Sequence, residues 1–515
     1  MIIAGDRQTR VSTRVSTVYV AGAWFAMSPD ATCSHCDIDS TDTNPGYQPS
    51  HQKTSSAPVT ATATIPVTAR PGGAGVSRRS IGECHTTGPR PTTTLARSSM
   101  NHSPRRIPLL PAAGSGTATM VAGTLVAALA AYLFQLVAGR ALGPADFAPI
   151  TVLWTIQFLV VTTVFLPTEQ LTVRRLADST PSAPPARLYG AVIVGAAAAS
   201  VIFGIITLDR LLEGRPIFLA VLGLVMVAYG GFALGRGALA GHRRFAEYGW
   251  ATMAESVVRL VAAGVLLAVG AGVVGVAWSL VPGAFVVYLW RPFRHEVRDE
   301  SVPVAAGALA TLATFVAANA ASQTILAAGP LVVGALGAGA VEVSIFFETF
   351  LLFRAPLTVA YSLVARVLPP FTGIAEKDGG RTLASWAIRL GVLGAAGAAA
   401  GFAAGYLAGP DVVSLLLGEE FRPEPLLAAY AASGVVLATV SLFTQQMLIA
   451  MKATGVLAAS WITGLAAASV AISLGTGSAS LVVGLAFLVG EAVALGLIVL
   501  GVVGVARSAS GQPTG

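Results

Sequence analysis

The sequence predicts an all-α polytopic membrane protein of about twelve transmembrane helices, divided six and six. Three observations predict it. Beyond Met100 the chain is a succession of apolar runs, each about 20 residues long, the length a helix needs to cross a hydrocarbon slab of ~30 Å. Only 11% of the 515 residues are charged and 54% are hydrophobic; with a mean hydropathy of +0.72, that is too little charge for a soluble domain of this size. The basic residues, finally, fall in alternate connectors between the runs, which is an orientation signal rather than the footprint of a nucleic-acid binder, despite the net charge of +7.

The chain opens with a polar head, residues 1–104, rich in Ser, Thr and Pro. It lacks the apolar core of a signal peptide and reads as a disordered extension. Met100, followed by Asn101, His102, Ser103, Pro104, Arg105 and Arg106 and then the first long apolar run, has the look of the true start of a polytopic protein; the alternative is a cytoplasmic tail without a fold of its own. All three cysteines lie in this head. Cys33 and Cys36 form a CxxC, and Cys84 precedes His85. The Thr/Pro-rich gap between them carries no patterned structure, so they read as part of the disordered stretch and not as a zinc site.

The predicted spans of the first six-helix lobe (105–298) are Ala112–Ala138, Phe147–Val173, Ala186–Leu208, Ile217–Leu239, Gly249–Val269 and Gly272–Trp290. Those of the second (299–515) are Val304–Ala328, Val341–Ala365, Thr382–Leu407, Leu426–Ile449, Ala453–Leu474 and Ser478–Ala506. With both termini inside, the inner connectors hold sixteen Lys and Arg residues, Arg236 among them, and the outer ones only Arg140, Arg210, Arg215 and Arg422. A miscounted span would reverse the bias downstream of it, and the bias persists to Arg507. An even number of spans per lobe gives both lobes the same orientation, as in a parallel repeat about the membrane normal. One segment is too short to cross: Pro410 to Phe421, flanked by acids, is expected to lie along the outer interface as a short amphipathic turn.

Charges inside the slab cost roughly 2.5–3.5 kcal/mol each by insertion scales, so each needs a partner or a wet cavity. Arg354 lies about thirteen residues into the eighth span, ~20 Å deep at 1.5 Å per residue, and Pro356 is expected to kink the helix beside it. Two readings stand: an anion contact in a central cavity, since a guanidinium's donor fork suits phosphate, or a structural ion pair with Glu348 or a carboxylate on another helix. Glu255 and Arg259, at i and i+4, share a helix face; they are either a self-neutralising pair or, for Arg259, also a cavity contact. Glu169 either snorkels toward Arg174 or Arg175 or serves as a proton or cation site, and Glu348 and Glu491 are further ion-coupling candidates. Asn319, Ser322, Gln323, Gln445 and Gln446 are hydrogen-bonding groups suited to interhelical contacts or, for Asn319 and Gln323, to the cavity. The sequence has no Walker A loop, no HExxH and no GxSxG, so it reads as neither an enzyme nor an ATP-driven pump, with no cofactor and no metal.

Four stretches carry a family resemblance. They are Leu136 to Phe147, containing Arg140, Leu142, Gly143 and Pro144; Leu239 to Tyr248, with Gly241, Arg243, Arg244 and Phe245, running on to Glu255 and Arg259; Phe346 to Gly373, with Arg354, Pro356, Leu357, Leu368 and Pro369; and the segment ending Leu417, Gly418, Glu419, Glu420, Phe421. In order and spacing these resemble the oligosaccharide flippases (Wzx-type polysaccharide transporters) of the multidrug/oligosaccharidyl-lipid/polysaccharide exporter superfamily. Ala148, Leu166 to Thr168 and Gln323 depart from the family's pattern. The resemblance implies two six-helix lobes around a V-shaped central cavity and alternating access without ATP hydrolysis, coupled to an ion gradient or the membrane potential. It also implies a cell-membrane location and an undecaprenyl-diphosphate-linked oligosaccharide as cargo. The diphosphate would meet Arg354 or Arg259, and the lipid tail would stay in the bilayer. Partners would be membrane lipid, a polysaccharide polymerase and glycosyltransferases, and not nucleic acid. The competing expectation is a cation- or proton-coupled multidrug extruder of the same superfamily, working through Glu169 or Glu348. A third reading is a membrane scaffold for glycan assembly that transports nothing.

Overall fold

A computed structural model of the chain describes residues 116–177, 186–293 and 306–510. The polar head with its cysteines, Met100, Arg105 and Arg106, and most of the connector between the sixth and seventh spans lie outside the described residues. Within them the secondary structure is helical throughout, with no strand.

The helices in chain order are α1 (Gly116–Val160), which runs through a π-helical turn (Val161–Phe165) into α2 (Leu166–Ala177); α3 (Ala186–Ile206); α4 (Leu208–Leu211); α5 (Ile217–Gly241); α6 (Phe245–Ala268); α7 (Gly272–Ser279); and α8 (Pro282–Phe285), which continues as a 3₁₀ turn (Val286–Trp290). The second half contains α9 (Ala306–Ala327), α10 (Gly329–Ala335), α11 (Ala340–Phe353), α12 (Ala355–Asp378), α13 (Arg381–Leu417), α14 (Pro425–Ala450), α15 (Thr454–Leu474) and α16 (Ala479–Ser510). Among the described residues nine helical stretches are long and apolar enough to cross a membrane, and α9 with α10, bent by 63° at their junction, makes a tenth.

Two features bring the count to the expected twelve. The first is a reversal inside α1. Gly143 takes φ 72°, outside helical geometry, a conformation that suits glycine, and Pro144 then opens the next segment, where its missing N–H costs nothing. The chain doubles back here: Phe134 and Trp154, twenty positions apart, stack with ring centroids 5.4 Å apart, whereas a straight helix would hold them ~30 Å apart. The second is the eighth span, which is two helices, α11 and α12, meeting at Arg354.

The fourth and tenth predicted spans end in the same turn. Arg243 and Lys452 both take left-handed backbone, φ 58° and 59°. In each turn three successive N–H groups bond back to carbonyls four, three and five residues earlier: His242 to Ala238, Arg243 to Ala240 and Arg244 to Leu239; Met451 to Met447, Lys452 to Ile449 and Ala453 to Leu448. The orphan carbonyls of both helix ends are thereby satisfied. At the start of α13 the Asp378 carboxylate accepts from Thr382 N at 3.0 Å and Gly380 N at 2.9 Å. The Thr382 hydroxyl and these amides hold its carboxyl below the usual range.

Within the first half α1 packs on α6 and α5 packs on α2 and α3; within the second α14 packs on α13 and α16, and α15 on α16 and α9. Small residues set these distances. A Cβ on Gly123 would lie 2.3 Å from the Gly249 carbonyl oxygen, and one on Gly405 would lie 2.6 Å from that of Ala428. The halves meet chiefly through α1 against α11, at the predicted outer end. There Phe147 lies 6.4 Å from both Phe347 and Phe421, and Arg140 donates to Leu415 O at 2.7 Å, one of the last carbonyls of α13. Residues Pro410 to Leu417 are not the interfacial turn expected of them. They are the last turns of α13, which continues through Pro410 to end at Gly418. Their packing against α1, through Leu417 and Phe421 beside Gly139, supplies the burial that a short apolar run lacks on its own.

Candidate functional site

Between the halves lies a cavity of about 270 Å³. One wall comes from α1, α5 and α6, the other from α9, α11 and α12. The two walls carry their charges differently.

On the first wall each arginine has a carboxylate. Arg259 Nη1 lies 2.9 Å from Glu255 Oε1, one helical turn before it on α6. Tyr229 of α5 donates to the same carboxylate and accepts from Arg259 Nη1 at 2.7 Å. Ser256 Oγ donates to Glu255 Oε2 at 2.8 Å and accepts from Arg259 Nη2 at 3.2 Å. The guanidinium sits 4.6 Å from the centre of the Trp154 ring, within cation–π range. The backbone at Gly283 presses onto this turn: a Cβ there would lie 2.4 Å from Glu255 O, so a glycine is needed. Arg236, 1% exposed, pairs with Glu169, which also accepts from Tyr248 at 3.0 Å. The Phe232 and Tyr248 ring centres lie 4.8 and 5.4 Å from its guanidinium carbon.

Two expectations change here. Arg236 is not a connector residue but a buried member of α5, and Glu169 is held by Arg236 across two helices rather than snorkelling. Tyr248 entered the sequence reading only as the end of the second motif, and Tyr229 and Trp154 were not singled out. The signal for Arg236 was its place within an unbroken apolar helix, three residues before Leu239.

On the second wall Arg354 has no carboxylate within salt-bridge distance among the described residues. Its Nη2 donates instead to the backbone carbonyl of Leu326, and its Nε is buried without a partner. The expected ion pair with Glu348 is absent: Glu348 is fully buried on α11 and neither carboxylate oxygen has a hydrogen-bond partner. It lies toward Gly139 of α1, where a Cβ would be 3.7 Å from Oε1. Nearer mid-depth, Tyr132 and Thr358 bridge the halves at 3.3 Å between hydroxyls.

The remaining candidates sit apart. Gln323 and Glu491 line a separate small space of about 20 Å³ with Ser322, Gln445 and Trp461; Leu326 and Tyr361 line both spaces. Trp461 Nε1 donates to Gln445 Oε1 at 3.1 Å, while Glu491 Oε2 and Gln323 Oε1 have no partner. Asn319 bonds across the halves, from Nδ2 to Thr162 O at 2.8 Å, in the π-helical turn. Among the described residues no cluster of His, Cys, Asp or Glu is arranged to hold a metal ion.

No family profile matches the chain. It is similar to two uncharacterized proteins of Mycobacterium tuberculosis, MT1558/MT1560 of strain CDC 1551 and Rv1510 of strain H37Rv. Each is 27% identical over 356 residues, covering 65% of this chain and 80% of the relative. Among solved structures it is similar to the inward-facing conformation of a multidrug resistance MATE family transporter of the MOP superfamily, with a TM-score of 0.52 at 15% identity, covering 76% of this chain and 96% of that one. At that identity the likeness speaks for architecture, and the chain has the twelve-helix, two-lobed fold of these transporters.

Proposed function

We propose that the chain moves an anionic lipid-linked oligosaccharide, of the undecaprenyl-diphosphate class, across the cell membrane by alternating access between its two six-helix lobes, in the service of polysaccharide export. Both termini would then be cytoplasmic, a reading supported by the distribution of Lys and Arg. The observation that carries the reading is the charge balance of the cavity. Arg236 and Arg259 are matched by Glu169 and Glu255, and Arg354 is left with a neutral carbonyl. The cavity therefore offers its contents a guanidinium with no carboxylate in direct contact, in a setting of lowered dielectric where a diphosphate is attracted strongly. The four motifs of the flippase resemblance fall on its walls and on the contact between lobes: Arg140 and Gly143 at the reversal of α1, Glu255 and Arg259 on α6, Arg354 at the junction of α11 and α12, and Leu417 and Phe421 beside Gly139.

The second reading, a cation- or proton-coupled drug extruder, is favoured by the buried carboxylates Glu348, with neither oxygen hydrogen-bonded, and Glu491, with Oε2 left without a partner. Replacing Arg354 by Ala separates the two. Glycan export in cells should be lost while membrane abundance is kept, and inorganic pyrophosphate should bind the purified protein at least about tenfold more weakly. Export that survives the change overturns the flippase reading. Drug resistance that follows the gene, with surface glycan unchanged, replaces it with the second.

A further inference from the structure

The bend between α9 and α10 has a local cause and a consequence at the cavity. In an unbroken helix the carbonyl of residue 326 accepts the N–H of residue 330. Residue 330 is proline, which has no N–H, and it sits in the first turn of α10 just past a 63° bend. The carbonyl of Leu326 is thereby left without its helical donor, at a helix C-terminus where carbonyls carry partial negative charge. The donor it has is Arg354 Nη2, from the junction of α11 and α12. Both Leu326 and Arg354 line the cavity.

A carbonyl holds a guanidinium differently from a carboxylate. Arg259 and Arg236 are fixed and neutralised by the same groups, whereas Arg354 is fixed by a neutral acceptor. We infer that Pro330 is a positioning residue: by withholding an N–H from Leu326 it creates the acceptor that holds Arg354 at the cavity with its charge unspent, so that a phosphate or diphosphate ester meets a preorganised donor. This rests on the cavity taking an anion, as proposed above. Preorganisation matters because an arginine that must be ordered by its ligand loses side-chain freedom at the ligand's expense.

The test uses the full chain, purified in lipid nanodiscs, with inorganic pyrophosphate as the probe and calorimetry as the readout. Pro330→Ala and Pro330→Gly each restore an N–H for Leu326. Both should weaken pyrophosphate binding by about three- to tenfold at an unchanged thermal midpoint. Glycine serves as the second variant because it keeps a flexible bend; if the alanine variant fails to fold, the glycine variant decides. Each is repeated in an Arg354→Ala background, over concentrations that reach the weakened site. If Pro330 acts through Arg354, it has no further effect there. An equal additional loss in that background makes Pro330 merely structural and overturns the inference, as does wild-type affinity in both single variants. Wild-type affinity in Arg354→Ala alone is a different failure: it removes the anion reading of the cavity itself.

Discussion

The two walls of the cavity solve the same problem in different ways. Each places arginine deep in an apolar bundle, where an unpaired charge is expensive. The first wall meets that cost with carboxylates and tyrosines: Glu255 and Tyr229 around Arg259, Glu169 and Tyr248 around Arg236. The result is stiff and electrically balanced. The second wall meets it with backbone, a carbonyl exposed by a helix break, and neither Glu348 of α11 nor Glu491 of α16 makes a salt bridge to Arg354. One wall is therefore built as scaffold and the other presents charge. A buried arginine is informative about ligands only once its acceptor is known, because a carboxylate cancels what a carbonyl leaves.

The contrast can be broken or sharpened by substitution. The largest effect should come from the balanced wall. Glu255→Ala leaves Arg259 buried without its counter-charge and should destabilise the protein by about 3–5 kcal/mol. The double change with Arg259→Leu should recover most of that loss, since it removes the stranded charge as well. Thermal and denaturant melts of the purified variants check both, and a double change as damaging as the single one would mean the pair is not what stabilises this wall. A smaller effect should follow from making the first wall resemble the second. Glu255→Gln keeps much of the hydrogen bonding but uncovers the charge of Arg259, and should tighten pyrophosphate binding by about three- to tenfold. Unchanged or weaker affinity would show that cavity charge is not the quantity being read. The smallest effect belongs to the contact between the halves. Arg140→Ala removes the 2.7 Å bond to Leu415 O and should cost about 1 kcal/mol, read as faster disulfide cross-linking between cysteines introduced across the predicted inner ends if closure of the outer end is relaxed. No change in that rate would assign Arg140 to local capping of α13 alone.

Much of the architecture was legible in sequence. The spans and the break near Arg354 followed from apolar length and proline, both of which act within a few residues; the reversal at Gly143 falls in the connector expected between the first two spans. The pairing of Glu255 with Arg259 was legible for the same reason, since i, i+4 spacing is a local geometric fact. What misled was packing against distant segments. Pro410 to Phe421 is too short an apolar run to form a span, yet Pro410 to Leu417 completes α13, with Leu417 and Phe421 packed beside Gly139 of α1. Arg236 was counted with the connector because nothing near it in sequence neutralises it; its partner Glu169 lies 67 residues away. The separation of Gln323 and Glu491 from the main cavity depends on side walls drawn from several helices, and no periodicity encodes that.

By itself the sequence determined that this chain crosses the membrane many times, where it turns, and which few polar residues must be accounted for inside the slab. Those are consequences of transfer cost and of backbone chemistry, which each segment carries with it. Only the tertiary structure decided which arginines are cancelled and which are not. That outcome depends on what lies opposite each guanidinium, a carboxylate for Arg236 and Arg259 and a proline-orphaned carbonyl for Arg354, and a residue's opposite number is set by how helices pack rather than by its neighbours along the chain.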